Sequence, residues 1–259
     1  MIRISVYHGE ALCCTKEADM EVFHVYREAW QEGDRIVIEA GSYPAYLAIR
    51  LDDTLGEAKV YLTGPMTYEI PFGEPALRFS EQAFKGTLHY LYARLLEDKE
   101  TENYGDLMCN PYDQHDTDTC FPHMTANAET RGESVFFAAN VSNGIIANDS
   151  HGEFPYASWG IDSKDDAEIT VHFGRPVNAE KLVIYLRADF PHDNWWPEIT
   201  VWTSDGDEKT YPMQKTGEGQ VICLDKKELT WLKMGRLVMS DEPALWPALS
   251  GMKIYGTNA

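Results

Sequence analysis

Apolar and polar side chains alternate one by one through much of this chain, and a period of two admits little besides β-strands. In Ile169-Thr170-Val171-His172-Phe173 every second residue is apolar. Lys181 to Arg187 puts Leu182, Ile184 and Leu186 on one face and Val183, Tyr185 and Arg187 on the other. Glu198-Ile199-Thr200-Val201-Trp202-Thr203 repeats the pattern before the turn Ser204-Asp205-Gly206-Asp207. Trp231-Leu232-Lys233-Met234 and Met252-Lys253-Ile254-Tyr255 complete the series. Short strands at regular spacing, with Gly- and Asp-rich turns and no helical period between them, predict an antiparallel sandwich.

The first half reads similarly. Ile2 to Tyr7, Arg35 to Glu39, Ala45 to Arg50, Lys59 to Leu62 and His89 to Leu95 alternate or form short apolar runs. Gly41-Ser42-Tyr43-Pro44, Leu55-Gly56-Glu57 and Pro71-Phe72-Gly73 separate them. Apolar residues from Glu17 to Trp30 fit either period, and the stretch is assigned to strand. The texture changes after the charged run Glu97 to Asn103, where Asn110 to His123 is rich in turn formers and has no period. The expected organisation is therefore all-β: a β-rich, sandwich-like domain over 1–105, a linker or inter-domain loop over 106–124, and a β-sandwich domain over 125–259.

The chain carries 42 acidic and 22 basic side chains, a net charge of −20. Such a surface repels nucleic-acid phosphates and anionic lipid, so neither nucleic acid nor membrane is expected as a partner. No apolar run is long enough to span a bilayer, and no signal peptide is visible. Cys13, Cys14, Cys109, Cys120 and Cys223 are odd in number and irregularly spaced. Reduced thiols and a cytoplasmic location are expected.

Four segments carry a family resemblance in their order and spacing: Thr125 to Glu129, Phe137 to Gly144 with its A-x-N-x-x-x-G pattern, Ser158-Trp159-Gly160-Ile161-Asp162, and Ala167 to Gly174. Together with the closing Met252-Lys253-Ile254-Tyr255-Gly256 they resemble a discoidin-type, or coagulation-factor C-type, domain of the galactose-binding-like fold. The resemblance covers roughly the last half of the chain. It implies a jelly-roll sandwich whose loops at one end bind a ligand, often a glycan, and it implies no chemistry. It also implies a strand that ends in a Gly before a short loop, and a structural Ca²⁺ for which Asn140, Asn143 and Asp162 are the nearest oxygen donors. Lys253 stands where an acidic residue would help such a site, and no cofactor is expected.

A sugar site needs a flat aromatic for the apolar face of a pyranose, with planar or forked polar groups for its hydroxyls. The loop from Arg187 to Trp196 supplies both: Arg187, Asp189, His192 and Asp193 for hydroxyls, and Trp195 or Trp196 for stacking. One of the two tryptophans is expected instead to plug the sandwich end, and Trp159 to be core. Two further loops add His151 and Trp246. In the linker, Asp113, His115, Asp116, Asp118, Cys120 and His123 fit neither a Ca²⁺ loop nor a paired-Cys zinc site, and are read as a solvated or inter-domain loop.

No G-x-S-x-G, H-E-x-x-H, phosphate loop or dinucleotide fingerprint is present. The residues thus point to non-catalytic carbohydrate binding by the loops at one end of the C-terminal sandwich. Two alternatives stay open: a carbohydrate-active enzyme with acids such as Glu153, Asp189 and Asp193 at the domain interface, or a structural or protein-interaction module.

Overall fold

The computed structural model describes residues 1–147, 150, 152–188 and 193–259. The alternating segments become strands. The first eight are β1 (Ile2–His8), β2 (Ala11–Ala18), β3 (Glu21–Tyr26), β4 (Asp34–Ala40), β5 (Ala45–Arg50), β6 (Ala58–Leu62), β7 (Met66–Glu69) and β8 (His89–Leu95). Four short strands follow, β9 (Gly105–Asp106), β10 (Cys120–Phe121), β11 (His123–Ala126) and β12 (Trp159–Gly160). The last five are β13 (Ile169–Arg187), β14 (Glu198–Thr203), β15 (Glu208–Pro212), β16 (Gln220–Val238) and β17 (Ala248–Asn258). The all-β expectation holds, and the stretch from Glu17 to Trp30 supplies the end of β2 and the whole of β3.

In the N-terminal part a four-stranded sheet, β2-β1-β4-β7, faces a five-stranded one, β10-β6-β5-β8-β3. The period of two decides what lies between them. Ile2, Ile4, Val6, Ile36 and Ile38 point inward from the first sheet and meet Leu47, Ile49, Val60, Leu62 and Leu91 from the second. Each such side chain, fully withdrawn from water, contributes about 1.5–3 kcal/mol. The edge strand β2 shows the opposite pattern and is exposed along most of its length.

The C-terminal part is one antiparallel sheet in the order β12-β17-β13-β16-β14-β15, with β11 added on β13 and β9 on β17. It bends round a single core that includes Trp159, Phe173, Trp196, Leu232 and Ile254. The bend is made within strands. Segments 169–173 and 181–187 are the two arms of one 19-residue strand, β13, where the resemblance implied a strand end and a loop. Its first arm pairs with β11 and β16, its second with β17 and β16. The corner is Gly174, at φ +68°. A Cβ there would lie 2.3 Å from the ring of Phe121, so the position requires glycine for its backbone and for the approach of β10.

Segment 106–124, expected as a linker or inter-domain loop, pairs and packs with both parts. β9 pairs with β17, and Met108 enters the C-terminal core. Tyr112 then enters the N-terminal core, where its hydroxyl accepts from Leu51 N at 3.1 Å and donates to Gly56 O at 2.9 Å. β10 pairs with β6, and β11 immediately returns to β13. Buried Asp113 holds the crossing, accepting from Met124 N at 2.8 Å and bonding His123 Nδ1 at 2.7 Å. Cys120 lies in the N-terminal core and His115 pairs with Glu129, so the donor-rich run is dispersed among local partners. Among the described residues no three His, Cys, Asp or Glu side chains are grouped as metal ligands would be, and no helix is long and apolar enough to cross a membrane. All five cysteines are free thiols.

Candidate functional site

At one end of the C-terminal sandwich the loops leave an open cleft of about 450 Å³. Its walls come from three places: the turns around Thr130–Phe136, the strand end at Gly160–Ser163, and the approach to β17 at Leu245–Ala248. Arg187 also lines it.

Each wall is set by local chemistry. Arg131 adopts φ +54°, and its guanidinium forms a two-pronged pair with Glu133, Nε to Oε1 and Nη2 to Oε2 both at 2.6 Å. The pair is exposed, and the guanidinium lies 5.5 Å from the centre of the Phe136 ring. The Arg131 pairing holds the Glu133 carboxyl below its ordinary range. Asp162, at φ +53°, receives the Arg131 backbone N–H at 3.3 Å, and its own N–H donates to Thr130 Oγ1 at 3.0 Å. These reciprocal bonds tie two turns into one rim. On the opposite wall Trp246 is 50% exposed and Leu245 58%.

The structure separates the residues expected at the site. Arg187, at the end of β13, is 3% exposed. Its Nη1 donates to Ser158 Oγ at 3.1 Å, and its Nη2 to Asp193 Oδ1 at 3.0 Å and to the Trp246 carbonyl at 3.3 Å. Arg187 thus positions the Trp246 backbone. Asp193, buried with it, presents no carboxylate at the surface for hydroxyls or for acid catalysis. Trp196 is fully buried, 6.3 Å between ring centres from Trp159, and is the plug of the sandwich end. Trp195 is half-buried against the core, its indole N–H donating to Glu242 Oε1 at 3.2 Å. Burial therefore withdraws Trp196 as a stacking surface and Asp193 as a hydroxyl partner; the apolar shape of the one and the charge pairing of the other are both spent internally. Asp189, His192 and His151 lie outside the described residues. Of the aromatics named from sequence, Trp246 alone stands on the cleft.

Asn194, the neighbour of Asp193, organises this wall. Its carboxamide nitrogen faces the carbonyls of Ala244 at 2.7 Å and of Ser240 and Glu242 at 3.3 Å. Its oxygen accepts from Trp195 N at 2.6 Å, Ser240 Oγ at 2.8 Å and Ser240 N at 3.2 Å. One buried side chain thereby fixes the segment that carries Leu245 and Trp246. Of the three oxygen donors named for Ca²⁺, Asn143 accepts from Ile145 N and Asp162 belongs to the cleft rim. The Asn140 carboxamide nitrogen donates to Ser134 O and Ser158 O, while its buried oxygen has no hydrogen-bond partner among the described residues. Thr130, Arg131, Glu133 and Phe136 were missed from sequence; the Thr130-Arg131-Gly132-Glu133 turn, with opposite charges two residues apart, is the signal that points to them.

No protein-family model matches the chain, and no curated protein matches it in sequence. Solved structures similar to it include a fucose-binding module of Streptococcus pneumoniae, at 13% identity and TM-score 0.41, covering 60% of this chain and 99% of that one. A family 32 carbohydrate-binding module from C. perfringens NanJ, solved with galactose, has 13% identity and TM-score 0.39, covering 51% and 91%. A chitosan-binding module from a Paenibacillus chitosanase/glucanase has 14% identity and TM-score 0.41, covering 59% and 99%. At these identities and scores they decide neither the fold nor the ligand of this chain, whose sandwich rests on its own strand pairing.

Proposed function

We propose that the protein binds a carbohydrate, without catalysis, in the cleft between Trp246 and the Arg131–Glu133 pair. The observation that carries this reading is the half-exposed Trp246 indole on the wall of a cleft whose other rim is a forked ion pair. An indole face covers the apolar face of a pyranose, and the Arg131 donors not used by Glu133, with the carboxylates of Glu133 and Asp162, suit vicinal hydroxyls. Binding is favoured over turnover because glycoside hydrolysis needs one carboxyl kept protonated near neutral pH. Arg131 pushes Glu133 the opposite way.

The test is a glycan panel followed by titration calorimetry of the best ligand. A Trp shows about 250 Å² when free, so half-exposure leaves about 120 Å². A sugar covering half of that removes ~60 Å², worth ~1.5 kcal/mol or roughly tenfold in affinity. Trp246→Ala is expected to lose that tenfold with an unchanged melting temperature, and Arg131→Ala to weaken binding as well. A panel on which nothing binds, or affinity indifferent to Trp246, refutes the proposal.

A further inference from the structure

A second cleft, of about 570 Å³, lies where the N-terminal sheets meet the 114–117 turn and Phe137, and shares no lining residue with the Trp246 cleft. Its size is that of a small-molecule site. Arg78, which lines it, is only 5% exposed. Nη1 makes one long bond, 3.4 Å to the Asp113 carbonyl, while Nε and Nη2 have no hydrogen-bond partner among the described residues. The nearest carboxylates are engaged elsewhere. Asp113 binds His123 and Met124 N, and Glu129 binds His115 at 2.7 Å and Ala138 N at 2.7 Å. A buried guanidinium left in this condition is costly, and a planar oxyanion on its Nε–Nη2 edge is the group that relieves it.

The rest of the cleft selects what carries that oxyanion. Phe72, Phe79 and Phe137 form apolar walls, with the Arg78 guanidinium 4.9 Å from the centre of the Phe79 ring. Glu32, Glu69 and Asp116, all exposed, surround the mouth and repel a second negative charge. We infer that this cleft binds a small monocarboxylate with an apolar body, its carboxylate on Arg78 and its body among the phenylalanines. A cationic group at the outer end of the ligand would meet the acidic rim favourably, whereas dianions are excluded. The inference is independent of the sugar site.

The experiment uses the full chain and two probes, phenylacetate and L-phenylalanine, followed by saturation-transfer NMR and by thermal shift. Both are expected to bind, whereas phenethylamine, which lacks the carboxylate, and inorganic phosphate, which lacks the body, are not. Arg78→Met is expected to weaken phenylacetate at least about tenfold, the loss of a charge-assisted pair. Ligand-free, it melts at or above the wild-type temperature, because a buried guanidinium with two nitrogens lacking hydrogen bonds has been replaced by an apolar chain. Phe72→Ala, at the half-buried wall, weakens phenylacetate too, and Trp246→Ala leaves it unchanged. Absence of binding by both probes, equal binding of phosphate, undiminished binding in Arg78→Met or Phe72→Ala, or a lower melting temperature of ligand-free Arg78→Met would each overturn the inference.

Discussion

Replacing Asn194 by Asp exchanges one NH₂ for an oxygen and leaves the side-chain shape intact. The acceptor side of the residue is kept, so Trp195 N and both Ser240 donors retain their partner. The donor side is inverted, and an oxygen now faces the three carbonyls of Ser240, Glu242 and Ala244. Two N–H protons are lost, at ~1 kcal/mol each. Repulsion and burial of the new charge add ~1–2 kcal/mol, limited because the 240–246 segment lies at the surface and can turn its carbonyls to water. The sum at pH 8 is a destabilisation of ~3–4 kcal/mol. Burial and the three carbonyls raise the carboxyl's folded pKa above its unfolded value, so the folded form binds the proton more tightly and stability recovers as pH falls. Protonation returns one donor, and the deficit shrinks to ~1–2 kcal/mol near pH 4.5. Urea unfolding at both pH values measures this; with a slope of ~2 kcal/mol/M the midpoint gap to wild type is ~1.5–2 M at pH 8 and about half that at low pH. A gap of equal size at both pH values, or one below ~0.3 M, refutes the argument that Asn194 is held by what it donates.

Gly174→Ala forces a side chain into left-handed backbone and against Phe121 at 2.3 Å; a loss of ~3 kcal/mol is expected by the same assay, from ~1–2 of backbone strain and the rest from overlap. His115 has its pKa raised first by its bond to Glu129, helped by Asp113 and opposed by burial and by Arg78. A raised histidine pKa stabilises fully below the unfolded value of about 6.5 and ceases to do so as pH rises through the folded value. Since the ring is 46% exposed, His115→Asn should cost no more than ~1 kcal/mol at pH 5.5 and ~0 at pH 8, with equal cost at both refuting the pairing.

The strands were legible because burial on one face enforces a period of two, which β4 through Ile38, β13 from Ile169 to Ala179 and β17 from Met252 to Gly256 follow residue by residue. The continuity of β13 was not, since a Gly-Arg-Pro triplet reads as a strand end; the close approach of Phe121, far off in sequence, makes it a corner instead. Alternation puts Arg187 on the face opposite Leu186, but whether such a face meets water depends on what folds over it. Here the Trp246 segment does, and the residue expected to touch a ligand positions the one that lines the cleft. Nothing local distinguishes Trp195 from Trp196 either, because only the three-dimensional neighbourhood of Trp159 decides which indole is enclosed. Arg78 lay beyond sequence reasoning altogether, for two buried nitrogens without partners among the described residues are a property of surroundings and leave no mark on composition.

The thread from β9 to β11 passes from the C-terminal core at Met108 to the N-terminal core at Tyr112 and Cys120, and back again at Met124. Its consequence concerns modularity. A cassette can be shuffled between genes when its boundary cuts only solvated chain. No cut between Gly105 and Ala126 meets that condition, because each removes an edge strand or a buried tyrosine from one half and strands it on the other. The halves are heritable only as a pair.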